Sequence, residues 1–77
     1  MPRKLHAKLD SGLDLTLRVI STLRRKEFEI NNIEMISEDS GGQASLFITL
    51  SDNEKKNVES AVYQMEKIYG VNEITVV

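Results

Sequence analysis

The chain has 77 residues, 10 of them basic and 12 acidic, for a net charge of −2, and it contains no cysteine. That length sets a single domain over residues 1–77, and the charge is too balanced for a nucleic-acid binder, which carries a clear basic surplus. Without cysteine there is neither a disulfide nor a thiolate metal site, and one histidine does not make an imidazole-rich one. A chain this short buries only about 60% of the surface its unfolded form exposes, so association with another copy is the expected source of extra stability. The start, MPRKLHAKLD, lacks the apolar run of a signal peptide. Nothing approaches the ~18 consecutive apolar residues of a membrane span, which makes a cytoplasmic location the expectation.

Lys4 to Leu9 alternates Leu5, Ala7 and Leu9 with Lys4, His6 and Lys8. This period of two marks a half-buried strand. Ser11 then reads as the N-cap of a helix, with Asp14 three residues on in the manner of a capping box. Leu13, Leu17, Val19, Ile20 and Leu23 share one arc with Thr16, while Leu15 falls off it and is expected to be exposed. Arg24, Arg25 and Lys26 suit the negative end of the dipole, so the helix ends near Lys26 or Glu27.

Phe28 to Ile36 forms the second strand, running to about Ser37. Its apolar parity switches at Asn31-Asn32, which predicts a β-bulge or a late strand start there. Glu38 to Gly42 is turn chemistry, with Gly supplying positive φ. Gln43 to Leu50 turns Ala44, Leu46, Ile48 and Leu50 to one face and Ser45, Phe47 and Thr49 to the other, completing a hairpin. Ser51 to Glu54 has the spacing of a second capping box. Val58, Ala61, Val62, Met65, Ile68 and Tyr69 then share the apolar arc of a second helix, with Gly70 as its C′ residue. Val71 to Val77 is a final strand.

The order strand–helix–strand–strand–helix–strand predicts an α+β, ferredoxin-like fold. Right-handed crossovers give a four-stranded antiparallel sheet in the order 4-1-3-2 with both helices on one face. Residues 5, 7, 9, 44, 46, 48, 50, 74 and 76 meet the helices, and His6, Lys8, Phe47 and Thr49 occupy the other face.

No catalytic constellation emerges from this plan. His6 has no identifiable partner for general-base work and reads as a surface residue. Glu38 and Asp39 lack the ligand spacing of a calcium loop, and Asp52 and Glu54 are explained by capping. Gly41-Gly42 lacks the GK[ST] ending of a phosphate loop. Phe47 is a single sheet aromatic without the basic face of an RNA-recognition domain, and marks a protein interface instead. Asp10-Ser11-Gly12 opens the first helix, where free N–H groups suit a carboxylate unless Ser11 satisfies them itself. An acylphosphatase-like enzyme on this fold needs an Arg in that loop, and the loop supplies none.

The stretch RVISTLRRKEFEINNIEM, Arg18 to Met35, resembles the ACT domain of the small regulatory subunits of acetolactate synthase. The matching positions are Arg18, Val19, Ile20, Leu23, Phe28 and Ile30, and the second helix and last strand, AVYQMEKIYGVNEITVV, also fit. Glu27 stands where that family has Gly before the aromatic residue, and Glu29 where it has Asn after it. In the first loop Ser11 and Gly12 match, while Asp10 or Leu9, depending on one gap, occupies the place of the family's Asn. An acidic side chain at Glu29 repels the carboxylate of an amino-acid ligand unless the ligand's amine is what it meets.

The resemblance implies a non-catalytic subunit, without cofactor, that activates or regulates the large catalytic subunit of acetolactate synthase in branched-chain amino acid synthesis. It implies a homodimer paired along the second-strand edge. It also implies a branched-chain amino acid effector, held by Asp10, Ser11, Gly12 and Leu13 with Glu29 and Ile30. The alternative is a free-standing amino-acid sensor of the same family.

Overall fold

In a computed structural model, residues 1–38 and 42–77 are described. The elements are β1 (Pro2–Leu9), α1 (Leu13–Arg25), β2 (Ile30–Ser37), β3 (Ala44–Ser51), α2 (Val58–Glu66) and β4 (Val71–Val76). The strands form one sheet in the order β2-β3-β1-β4, and every neighbouring pair is antiparallel. Read from the other edge, this is the 4-1-3-2 order expected of the ferredoxin-like plan.

The inward face follows from strand alternation. Leu5, Ala7 and Leu9 on β1 and Ala44, Leu46, Ile48 and Leu50 on β3 are all buried, together with Val71 at the start of β4. Val19 and Leu23 on α1, Val58, Ala61 and Met65 on α2, and Phe28 and Ile68 just beyond the helix ends complete the core. Ile74 is half-buried, whereas Val76, at the end of an edge strand, is 40% exposed.

The break at Asn31-Asn32 is a bulge. Ile30 pairs with Leu50 and Asn32 with Thr49, so Asn31 is the extra residue. Ile33 and Met35 thereby return to the core face opposite Ile48 and Leu46. A second irregularity, unforeseen in the sequence, lies in β4. His6 pairs with Thr75 but Lys8 with Asn72, leaving two residues opposite Ala7, and Glu73 adopts φ +49°.

The helix boundaries correct several expectations. Ser11 does not cap α1: the N-cap is Gly12, and no side chain accepts a hydrogen bond there. The Ser51–Glu54 box does not form either, because Ser51 still belongs to β3 and α2 starts only at Val58. The N-cap is Asn57, whose Oδ1 accepts from the Ser60 amide at 2.9 Å. Asp52 Oδ1 accepts from the Val58 amide at 2.8 Å, so the intervening residues loop back onto the helix end.

The apolar arcs also shift. On α1 the buried stripe is Thr16, Val19 and Leu23, with Leu15 packed partly against the core. At about 100° per residue, Leu13 and Leu17 lie roughly 90° and 130° from the centre of that stripe. They are 63% and 53% exposed. Tyr69, beyond the end of α2 at Glu66, leaves the arc and is exposed. Gly70 does have positive φ, at +92°, but in the turn before β4 rather than at the C′ position of a helix that ends at Glu66.

The β2–β3 turn closes with the Glu38 amide donating to the Gln43 carbonyl at 2.9 Å and Gly42 at φ +72°. The expectations for Asp39 and Gly41 lie outside the described residues. No helix among the described residues is long and apolar enough to cross a membrane.

Candidate functional site

The β1–α1 loop is the first place to look for a ligand, because it ends in an uncapped helix. Among the described residues no side-chain cap bonds the start of α1, and the N–H groups of such a helix end suit an anion. Gly12 is held close to β2: a Cβ built on it would lie 3.7 Å from Met35 Sδ and 3.9 Å from Ala44 Cβ. Thr16, nearly fully buried, donates its hydroxyl to the Gly12 carbonyl at 2.9 Å and lies 3.1 Å from Met35 Sδ. The loop is thus pinned over the C-terminal half of β2.

Asp10, Ser11, Gly12 and Leu13 are consecutive and lie at that end of the sheet. Glu29 and Ile30 do not join them within one chain. Leu9 and Ser37 both pair with Ala44, whereas Ile30 pairs with Leu50, which itself pairs with Arg3. Ile30 is therefore separated from the loop by the length of β2, roughly 23 Å at ~3.3 Å per residue. Glu29 is exposed, and its carbonyl accepts from the Ser51 amide at 3.0 Å.

Beside the loop, on the side away from β2, is a recess of about 290 Å³. Asp10, Ser11, Asp14, Leu15 and Arg18 line it from the loop and α1, and Tyr69 and Gly70 from the α2–β4 turn. Sequence reasoning assigned none of its last five members to a site. Asp14 reads as a capping-box acid, Arg18 as a position of the family resemblance, and Tyr69 as part of an apolar arc. The available signal was the pair of opposite charges one helical turn apart.

The helix-free face of the sheet carries His6 stacked on Phe47, ring centroids 4.6 Å apart, with Lys4 Nζ 5.3 Å from the Phe47 centroid. His6 Nε2 is buried and has no hydrogen-bond partner among the described residues. No set of three or more His, Cys, Asp or Glu among the described residues is placed to hold a metal ion.

The ACT-domain sequence profile matches residues 13–74. The chain belongs to the ACT-domain family, a family of regulatory domains. Three solved structures illustrate the likeness of fold. The acetolactate synthase small subunit from Thermotoga maritima superposes with a TM-score of 0.83 at 18% identity, covering 99% of this chain and 47% of that one. The ACT domain from GTP pyrophosphokinase of Chlorobium tepidum gives 0.81 at 10% identity, covering 100% and 97%. A formyltetrahydrofolate deformylase from Pseudomonas putida KT2440 gives 0.72 at 11% identity, covering 100% of this chain and 28% of the enzyme. The chain thus spans about half of the Thermotoga subunit and a smaller part of the deformylase. No curated protein sequence matches it.

Proposed function

We propose that this protein is a regulatory ACT subunit that pairs with a second copy along β2, binds a branched-chain amino acid across that pairing, and controls the large catalytic subunit of acetolactate synthase. The observation that carries the reading is the separation of the ligand-site residues. One protomer holds Asp10, Ser11, Gly12 and Leu13 at one end of β2 and Glu29 and Ile30 at the other. A two-fold axis through the middle of β2 reverses the partner strand, and so sets the partner's start of β2 beside the Gly12 loop. The site is complete only in the pair.

The two edges of the sheet support β2 as the pairing edge. β4 is interrupted by the bulge at Glu73. β2 runs in unbroken register from Asn32 to Ser37. It is flanked by the helix that exposes Leu13 and Leu17, and an unpaired regular edge beside apolar side chains is a ready template for another strand. In the bound state the uncapped α1 terminus takes the ligand carboxylate. Glu29 of the second copy meets the amine.

The Arg18–Met35 stretch and the fold shared with the Thermotoga small subunit support this partner. Mixing the purified protein with an acetolactate synthase large subunit tests it. A co-eluting complex with altered activity is the expected result. A large subunit that neither binds nor changes rate overturns the assignment. A thermal-shift screen of amino acids alone separates off the free-standing sensor, because a ligand of the folded state raises the melting temperature without any catalytic subunit.

A further inference from the structure

We propose that the helix-free face of the sheet is the docking surface for the catalytic partner. That partner is two-fold symmetric and presents two acidic patches about 24 Å apart, the distance between the β1 strands of two copies paired along β2 at ~4.8 Å per strand. The inference rests on the reading of the chain as a regulatory subunit paired through β2.

The face is built on an unbroken register. β1 pairs with β3 from Pro2–Ser51 to Leu9–Ala44 without a shift. Strand alternation therefore sets Lys4, His6 and Lys8 beside Thr49, Phe47 and Ser45 on the side away from the helices. Glu34 pairs with Phe47 from the other flank. The strands hold these positions before a partner arrives, which lowers the cost of docking.

The centre of the face is aromatic but offers no stacking platform. The His6 and Phe47 rings lie 4.6 Å apart at 17°. Rings that close cannot lie flat side by side on the sheet, so they stand upright and cover each other's faces. What they turn outward is ring edge, the electropositive part of an aromatic ring. A nucleic-acid base finds no flat ring here, unlike on the sheets that read RNA. Carboxylates and the faces of other aromatic rings suit these edges instead.

The charges point the same way. Lys4 and Lys8 are exposed on β1, and Lys4 Nζ is 5.3 Å from the Phe47 centroid. Lys8 pairs with Glu38 at 3.5 Å, whereas no ion pair among the described residues involves Lys4. Glu34 and Glu38 lie on and just after β2. In a β2 pair they fall toward the seam, and a basic β1 stripe flanks the seam on each side.

Area decides between one copy and two. Four strands of six to eight residues give a face on the order of 500 Å² at ~4.8 Å by ~3.3 Å per residue. A stable interface buries about 800 Å² per partner. Two faces joined along β2 reach on the order of 1,000 Å². The joined face carries the two-fold axis of the pair, so a partner that covers it whole shares that symmetry.

The full chain is titrated with an acetolactate synthase large subunit at rising salt. Two variants carry the test: Lys4→Glu combined with Lys8→Glu, and Phe47→Ser. Circular dichroism verifies their fold, and sedimentation verifies that they pair like the parent. The expected result is a tenfold or greater loss of affinity in each, with parent binding that weakens as salt rises. Tyr63→Ala, at a residue 59% exposed on α2, keeps the parent's affinity. Face variants that bind like the parent, or an equal loss in Tyr63→Ala, overturn the proposal and leave the regulatory reading intact. A single-stranded oligonucleotide that binds this face as tightly as the large subunit overturns it too. A large subunit that does not bind the parent overturns both.

Discussion

The Phe28 amide donates to the Leu23 carbonyl at 2.9 Å across the end of α1. The Glu27 amide donates to the Arg24 carbonyl at 2.9 Å, and Glu27 itself has φ +68°. Together these bonds form a Schellman motif, and Phe28 and Leu23, both buried, supply its hydrophobic contact. A glutamate thus holds the left-handed position that glycine fills most readily. Glu27→Gly removes roughly 1–2 kcal/mol of backbone strain and returns part of it as unfolded-state entropy. The expected net gain is about 0.5–1 kcal/mol, read as a higher midpoint in urea. A lower midpoint would show that the Glu27 side chain stabilises this end of the helix.

Asn57, not Ser51, caps α2. Asn57→Ala leaves the Ser60 amide without its acceptor and should cost about 1 kcal/mol. For a domain of this size that lowers the melting temperature by roughly 4–8 °C. Ser51→Ala removes an exposed bond to Asn31 Oδ1 and should change stability by less than about 0.5 kcal/mol. Reversed magnitudes would contradict the helix start at Val58.

Gly70→Ala meets two obstacles, a positive φ and the Leu15 side chain. A loss of at least about 2 kcal/mol is expected. Adding Leu15→Ala relieves the overlap but not the backbone, so the double variant should show a coupling energy of the opposite sign in a double-mutant cycle. Strict additivity would mean that strain in the turn is the whole effect.

Leu17→Glu tests the pairing face. The side chain is more than half exposed and contributes little to the protomer's core. The parent should sediment as a dimer, and the variant at half that mass with an unchanged far-ultraviolet spectrum. A variant that remains dimeric would place the contact elsewhere.

Much of this fold could be read from residue order. The parity switch at Asn31-Asn32 predicts a bulge or a late strand start, and the register shows the bulge, which restores Ile33 and Met35 to the core face. The bulge at Glu73 left no such trace, since the short run around it has too few apolar residues to define a parity. The caps misled because Ser-x-x-Glu fixes a spacing but not whether the preceding strand has ended. A helical wheel puts Leu13 and Leu17 on the apolar arc because it shows the width of that arc, not which part of it the sheet covers. The surplus width is exposed. Of the candidate site, the loop can be located from Ser11-Gly12, but its distance from Ile30 follows only from strand register.

The unequal edges of the sheet also govern how far association can proceed. A sheet with two regular edges can add copies at both, and head-to-tail addition of that kind grows fibres. Here the kink at Glu73 spoils one edge, and the proposed pairing through β2 would consume the other. Growth by strand addition would then stop at two copies. Straightening β4 by deleting Glu73 is the change that would remove that ceiling.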